Sequence, residues 1–162
     1  MVCTVVVEKV IPADRDLVFE TVPDTTSNWK VFFTGFKPFV GAITHAEIEG
    51  GGPVVPGAHR LIDFSDGTHI VELILDHDRP SRHHYKVIEP TKLQGLTMSE
   101  IDSNWDFLVE GEGQCRIRWT YSLTPRNFLT VPVVATVGRF GFRGAMRNQL
   151  DAIQQYFAER RG

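Results

Sequence analysis

The sequence predicts an α+β fold in which a curved, seven-stranded antiparallel sheet wraps around a long C-terminal helix. Seven segments rich in β-branched and aromatic residues, separated by turn-forming residues, carry the first half of this prediction. The second half comes from the end of the chain, where apolar residues recur at helical spacing. Strands joined by short turns form an antiparallel sheet, and a long amphipathic helix must bury its apolar face against it.

The N-terminal part of the chain contains one predicted strand and two predicted short helices. Residues 2–11 are β-branched and end before Pro12, so they are expected to form the first strand. A short helix is expected to begin at residue 13 or 14 and to end near residue 22, with acidic residues in its first turn. The second short helix carries three aromatic residues, which are Trp29, Phe32 and Phe33.

Six further strands and the long helix complete the predicted fold. The strands are expected at residues 41–49, 57–64, 68–76, 82–89, 96–109 and 114–124. The last of them alternates apolar and polar residues from Cys115 to Leu123, as a half-buried strand does. From about residue 131 to residue 160 the period becomes helical. No repeat or linker interrupts the chain, so residues 1–162 are expected to form one domain.

One hairpin of this sheet is predicted to set two opposite charges against each other. Its connection, Ser65-Asp66-Gly67, suits a three-residue loop in which Gly67 adopts the left-handed conformation. In that register Arg60 opposes Glu72, on a sheet face that also carries isoleucine and phenylalanine. Burying such charges costs several kcal/mol before their pairing offsets it, so a buried pair points to a functional role.

The other face of the same hairpin is at least as apolar. It carries Leu61, Val71, Leu73 and Leu75, with Asp63 and His69 paired near the turn. If that face were buried, Arg60 and Glu72 would form a surface salt bridge worth at most about 1 kcal/mol. The residues alone therefore leave both orientations of the hairpin open.

Composition excludes several classes of protein. The net charge of −3 argues against nucleic acid as a partner, because phosphate binding needs a basic face. The longest apolar stretch after the N-terminal strand, residues 131–137, is too short to span a bilayer, so no stable membrane insertion is expected. Cys3 and Cys115 lack metal or redox spacing and are expected to be free thiols. With no evident signal peptide, a cytoplasmic location is predicted.

No metal or cofactor is expected. No histidine pair has metal-ligand spacing, and adjacent His83 and His84 point to opposite sheet faces. Solvated or edge positions are expected for the six histidines, with His83 as an outside candidate for a pocket base. Gly138, Gly141 and Gly144 do not follow a strand, so they form no dinucleotide-binding loop. They are instead expected to allow a close approach of the sheet, to leave room for a ligand, or to form a flexible lid segment.

Motifs along the central strands resemble those of the START-like helix-grip (SRPBCC) superfamily, of the polyketide cyclase and lipid-transport type. The similar motifs are Gly57-Ala58-x-Arg60, Phe64-x-Asp66-Gly67, Glu72-x-Ile74-x-x-x-Asp78, Pro80, Arg82, Tyr85 and Val87. The resemblance implies a hydrophobic cavity between the sheet and the C-terminal helix, with Arg60, Glu72 and Tyr85 pointing into it. The superfamily contains both enzymes and carriers, so it does not by itself assign an activity.

The candidate ligand-binding residues are those expected to face this cavity. They are Arg60, Ile62, Glu72, Tyr85, Trp119, Phe142 and Met146. Glu72 and Tyr85 are also the candidate catalytic residues, with Tyr85 as a proton donor to an enolate and Glu72 expected to have a pKa lowered by Arg60. The aromatic residues from Trp29 to Phe39 could form either the cavity mouth or ordinary core.

Two functions follow from these expectations. The cavity either cyclises or dehydrates a polyketide-like substrate, or it carries or senses a lipid or another small hydrophobic ligand without catalysis. Several polar groups deep in the cavity would favour specific recognition over a smooth-walled carrier.

Overall fold

A curved antiparallel sheet forms the frame of the protein in the computed structural model, which describes residues 1–161. Its strands are Cys3–Ile11 (β1), Ile43–Ile48 (β2), His59–Phe64 (β3), His69–Asp78 (β4), Arg82–Glu89 (β5), Met98–Gly111 (β6) and Gln114–Pro125 (β7). The strands lie in the order β1-β7-β6-β5-β4-β3-β2. The first strand therefore pairs with the last, and every other neighbouring pair is sequential.

Helices cover the concave side of this sheet and its ends. They are Arg15–Thr21 (α1), Trp29–Phe32 (α2), Lys92–Thr97 (α3), Val131–Thr136 (α4) and Arg143–Glu159 (α5). A π-helical turn, Val137–Phe142, joins α4 to α5. Within residues 1–161, no helix is both long and apolar enough to cross a membrane.

The predicted α+β helix-grip architecture is confirmed. Alternate residues of the strands point to the concave face, where α5 packs on β1 and faces residues of β3, β4, β5 and β7 across a shared cavity. Ile117 and Trp119 on β7 are buried on this face, as are Met146, Leu150 and Ile153 on α5. The amphipathic pattern of the C-terminal segment thus corresponds to its contact with the sheet.

The chain departs from the predicted elements in two places. The predicted strand at residues 96–109 begins at Met98 instead, because a short helix, α3, comes before it. Thr91 and Gln94 cap that helix reciprocally through a capping box. The predicted C-terminal helix is present over residues 131–159, but its hydrogen bonding widens to the π pattern at Val137–Phe142. Such π turns occur frequently at functional sites.

Candidate functional site

The β3–β4 hairpin has the predicted turn and register. Gly67 has a φ of 84°, in the left-handed region, and the Phe64 N–H donates to the Thr68 carbonyl at 2.9 Å. Arg60 is the direct cross-strand partner of Glu72. The turn residues therefore fix which side chains meet, as the sequence predicted.

The face that carries Arg60 and Glu72 is the buried one. Arg60 is 0% exposed and Glu72 is 2% exposed. On the opposite face, Leu61 and Val71 are half-buried and Leu75 is exposed. The alternative orientation, with a surface salt bridge, is thus wrong for this chain.

Arg60 is held from three sides. Its Nε donates to Glu72 Oε2 at 2.7 Å, and Nη2 lies 2.7 Å from the same oxygen. The guanidinium carbon lies 3.7 Å from the centroid of the Trp29 ring and 4.8 Å from that of Tyr85, within cation–π distance. Nη1 and Nη2 both lie 3.2 Å from His83 Nε2.

The two oxygens of the Glu72 carboxylate consequently differ in their contacts. Both Arg60 nitrogens contact Oε2, and among the described residues Oε1 has no side-chain hydrogen-bond partner. Glu72 also lines an inner cavity, and Oε1 is the acceptor that Arg60 leaves free.

The inner cavity lies between the sheet and the C-terminal helix and has a volume of about 50 Å³. Its walls are mostly aromatic and aliphatic. Six of the predicted ligand-binding residues line it, namely Ile62, Glu72, Tyr85, Trp119, Phe142 and Met146. Arg60 does not line this cavity; it lies behind Glu72, fully buried, and acts on the cavity through that carboxylate.

A second, outer cavity of about 180 Å³ adjoins the inner one. Four residues line both cavities, and they are Val40, Phe64, Gln94 and Phe142. These four residues, which we call the septum, separate the two spaces. Phe142 is the last residue of the π-helical turn, and Gln94 belongs to α3. Neither Gln94 nor its helix was predicted from the sequence, although Thr91-x-x-Gln94 is a capping-box pattern.

Burial dominates the electrostatics of the site. It raises the pKa of the Glu72 carboxyl, and the neighbouring Arg60 guanidinium only partly opposes this shift. The predicted net lowering of this pKa is therefore wrong, because the desolvation of a fully buried carboxylate outweighs the ion pair with Arg60. Burial likewise raises the pKa of the Tyr85 and Tyr121 hydroxyls, and the Glu72 charge adds to both shifts. The two phenols therefore remain protonated and can donate hydrogen bonds.

The histidines differ from their predicted solvated positions in two cases. His83 is 0% exposed, and burial lowers its pKa well below the usual value. The His77 side chain is also nearly buried, and its Nδ1 lies 2.9 Å from His83 Nδ1. His84 points to the other sheet face, as predicted, and bonds Asp102 at 2.8 Å. Across residues 1–161, no group of three or more His, Cys, Asp and Glu side chains is arranged to hold a metal ion.

The aromatic residues after α1 divide between core and cavity. Trp29 and Phe33 line the inner cavity, and Phe32 is buried against Tyr156. Phe39 is half exposed and lines the outer cavity, while Phe36 stacks on Phe39. Both interpretations made from the sequence are thus correct for part of the group.

The helical glycines admit close neighbours from that same aromatic turn. A Cβ atom on Gly144 would lie 2.7 Å from Phe36 Cδ1, and one on Gly141 would lie 2.8 Å from Phe39 Cβ. Gly138 instead faces Leu123 and Val5 of the sheet. The glycines therefore let the turn at residues 36–40 pack directly on the C-terminal helix.

Comparison with known proteins finds a family model that matches the chain over nearly its full length. Residues 2–158 match the family model described as polyketide cyclase / dehydrase and lipid transport. No curated protein sequence matches the chain significantly.

Solved structures with low sequence identity share the fold. Norcoclaurine synthase from Thalictrum flavum, in complex with dopamine and hydroxybenzaldehyde, has a TM-score of 0.71 at 19% identity, covering 98% of this chain and 88% of its own. The di-domain ARO/CYC protein StfQ from the steffimycin biosynthetic pathway has a TM-score of 0.73 at 15% identity, covering 99% of this chain and 52% of its own. The XoxI protein from Bacillus cereus has a TM-score of 0.68 at 15% identity, with 98% of each chain covered.

Proposed function

The chain belongs to the polyketide cyclase / dehydrase and lipid transport family, and on this premise we propose that it binds a small, largely apolar molecule in the inner cavity. The ligand presents a hydroxyl group to Glu72. The observation that carries the proposal is that Glu72, whose Oε1 is left free by Arg60, lines a cavity whose walls are mostly aromatic and aliphatic. An apolar pocket with a few fixed polar groups is the usual form of a small-molecule site.

Polar groups at the cavity wall support the recognition of a specific molecule, and not the non-specific binding expected of a carrier with smooth apolar walls. Glu72 can accept a hydrogen bond, and the protonated Tyr121 hydroxyl can donate one. Leaving a buried carboxylate oxygen without a partner is costly, so a ligand that supplies a donor is favoured over one that does not.

The size of the cavity bears on how the ligand binds. About 50 Å³ is small beside the roughly 300–1,000 Å³ of typical ligand sites. A ligand larger than a few water molecules must therefore displace the septum and extend into the outer cavity. Phe142 borders both spaces, at the end of a π-helical turn, so its side chain is the element we expect to move.

Catalysis of cyclisation or dehydration is the second candidate function. It is favoured by the raised pKa of Glu72, which brings a carboxyl closer to the range useful for proton exchange. In this function Glu72 removes the proton next to a ligand carbonyl. Tyr85, which stays protonated, donates to the enolate oxygen. Binding is common to both candidate functions, so it is the property to test first.

Titration with 2-naphthol, followed by quenching of tryptophan fluorescence, tests the binding proposal. Trp29 and Trp119 line the cavity, so a bound aromatic molecule will change their emission. The variant Ala145→Leu adds bulk to the cavity wall and is expected to weaken binding at least tenfold. Ala158→Leu, at an exposed position of the same helix, is the matched control and should bind normally.

Two results would reject the binding proposal. One is the absence of saturable quenching in the wild-type protein. The other is equal affinity in the Ala145→Leu variant and the wild type, because the probe would then occupy another surface.

A further inference from the structure

A chain of hydrogen-bonding side chains runs from the protein surface to the inner cavity. It begins at Asp24, whose Oδ1 lies 2.5 Å from His77 Nε2. His77 Nδ1 lies 2.9 Å from His83 Nδ1, and His83 Nε2 lies 3.2 Å from two Arg60 nitrogens. Arg60 then contacts Glu72, which lines the cavity. Asp24 is partly exposed and is also paired with Arg79.

The contacts fix the direction of every hydrogen bond in this chain. A guanidinium has only donors, so His83 Nε2 must be the acceptor and carries no proton. The proton of neutral His83 is therefore on Nδ1, which donates to His77 Nδ1. His77 in turn has its proton on Nε2 and donates to the Asp24 carboxylate. Burial keeps His83 neutral, which is consistent with this assignment.

We propose that Asp24, His77 and His83 are positioning residues that hold the Arg60 guanidinium away from Glu72 Oε1 and so keep this oxygen free to accept a hydroxyl group of the ligand. The proposal rests on the proposed function of the cavity. The three residues that it concerns lie outside the cavity wall, since none of them lines the inner cavity.

The reason lies in the preferred geometry of an arginine–carboxylate pair. Such pairs are frequently bidentate, with two parallel N–H···O bonds that use both carboxylate oxygens. Here Nε and Nη2 of Arg60 converge on Oε2, and Nη1 and Nη2 each also direct one N–H group at His83 Nε2. If His83 Nε2 carried a proton, its N–H group would point at the N–H groups of Arg60 and repel them. The guanidinium would then turn toward the bidentate arrangement and occupy Oε1.

Nitrogen-15 NMR of the histidine rings tests the chain without any ligand. A protonated and an unprotonated ring nitrogen have distinct chemical shifts, so the tautomer of each histidine can be read directly. We expect His83 to be neutral with its proton on Nδ1, and His77 to be neutral with its proton on Nε2. A His83 ring protonated on Nε2 in the wild-type protein would overturn the proposal, whatever the variants do.

The variant His77→Phe then tests the effect on the cavity. It keeps an aromatic ring against Phe19 but removes the acceptor for the His83 Nδ1 proton. The readout is the hydroxyl preference, defined as the dissociation constant of naphthalene divided by that of 2-naphthol. We expect this ratio to fall about tenfold in the variant, together with a shift of the His83 proton to Nε2.

His84→Phe is the matched control. His84 is the next residue of β5 and forms a similar His–Asp pair with Asp102, but on the opposite sheet face. It should leave both the hydroxyl preference and the His83 tautomer unchanged. An equal fall in both variants, or none in His77→Phe, would overturn the proposal.

The two proposals fail in different ways. If the wild-type protein binds neither probe, the proposed function is rejected. The NMR measurement still decides whether the hydrogen bonds between Asp24, His77 and His83 have the assigned donors and acceptors. If the wild type binds 2-naphthol with a preference that His77→Phe retains, the positioning role is rejected and the proposed function stands. If His77→Phe does not fold, Asp24→Ala at the surface end of the chain replaces it, with the same expected fall in hydroxyl preference.

Discussion

The guanidinium of Arg60 lies over the indole ring of Trp29, with 3.7 Å between the guanidinium carbon and the ring centroid. Trp29 comes from the short helix α2, and Arg60 comes from β3, the strand next to the edge strand β2. Stacking on an aromatic ring satisfies the planar faces of a guanidinium, while its edges remain free for hydrogen bonds. The contact therefore explains how a fully buried arginine is accommodated beside an apolar cavity.

Removing Arg60 alone should be strongly destabilising. In Arg60→Ala the Glu72 carboxylate is left buried without its partner, which costs about 3–5 kcal/mol of unfolding free energy. The double variant Arg60→Met, Glu72→Leu removes both charges and should be less destabilised than the single variant. Urea unfolding of the three proteins checks this. A double variant that is less stable than Arg60→Ala would contradict the account of the pair.

The contribution of His83 to stability should fall as the pH is lowered below 6.5. His83 has a pKa well below 6.5 in the folded protein because it is buried, whereas an unfolded chain takes up a proton near pH 6.5. The unfolded state therefore binds more protons in this range, and His83 contributes a loss of about 1.4 kcal/mol per pH unit until its folded pKa is reached.

Comparison with His83→Gln isolates that contribution. Glutamine keeps an acceptor for Arg60 but does not titrate, so the stability difference between wild type and variant should change with pH at the stated slope. Glu72 acts in the opposite direction, because its raised pKa makes stability fall as the pH rises above 4.5. Taking the difference between the two proteins removes this effect. If no proton uptake by His83 is linked to unfolding, the difference in unfolding free energy between the two proteins will be constant from about pH 7 to about pH 5. That result would show that His83 does not titrate as described.

The two cysteines should differ sharply in reactivity. Cys115 is 0% exposed, and burial raises the pKa of its thiol to about 11, so it is neither accessible nor ionised near neutral pH. Cys3 is a half-buried free thiol on β1. Iodoacetamide labelling followed by mass spectrometry should modify Cys3 in the folded protein and Cys115 only after unfolding. Equal labelling rates would argue against the buried position of Cys115.

The glycines of the C-terminal helix should resist substitution even though alanine is the better helix former. In Gly144→Ala the new Cβ would lie 2.7 Å from Phe36, so the aromatic turn at residues 36–40 has to move. We expect a loss of about 1–3 kcal/mol, as for other overpacked sites. Gly52→Ala, where nothing lies within 4 Å of the new atom, is the control and should change stability by less than about 0.5 kcal/mol. Thermal unfolding of both variants measures the difference, and equal melting temperatures would contradict the contact.

The sequence contains enough local information to predict the fold and the register of the central hairpin. The Ser65-Asp66-Gly67 turn determines that Arg60 meets Glu72, because a three-residue loop with a left-handed glycine sets the pairing. Which face of the hairpin is buried could not be decided from its residues, since both faces are apolar. The decision depends on the helix that packs against the sheet.

Other features of the site depend on contacts that no local pattern specifies. Asp24 and His77 lie 53 residues apart in the chain and meet only when the fold brings the segment after α1 against β4. The pKa of Glu72 was predicted in the wrong direction because the degree of burial is a property of the packed structure. The pair of cavities and the septum between them likewise arise from packing.

The hydroxyl preference of Glu72→Gln is the most direct test of the central claim, which is that Glu72 Oε1 anchors the ligand in the inner cavity. In this variant the single amide oxygen is expected to stay on Arg60, so the amide N–H group, a donor, faces the cavity. We predict that wild-type protein and the exposed control variant Glu47→Gln prefer 2-naphthol over naphthalene about tenfold or more, and that Glu72→Gln loses this preference while still binding naphthalene. A preference that is the same in Glu72→Gln as in the wild type would contradict the account.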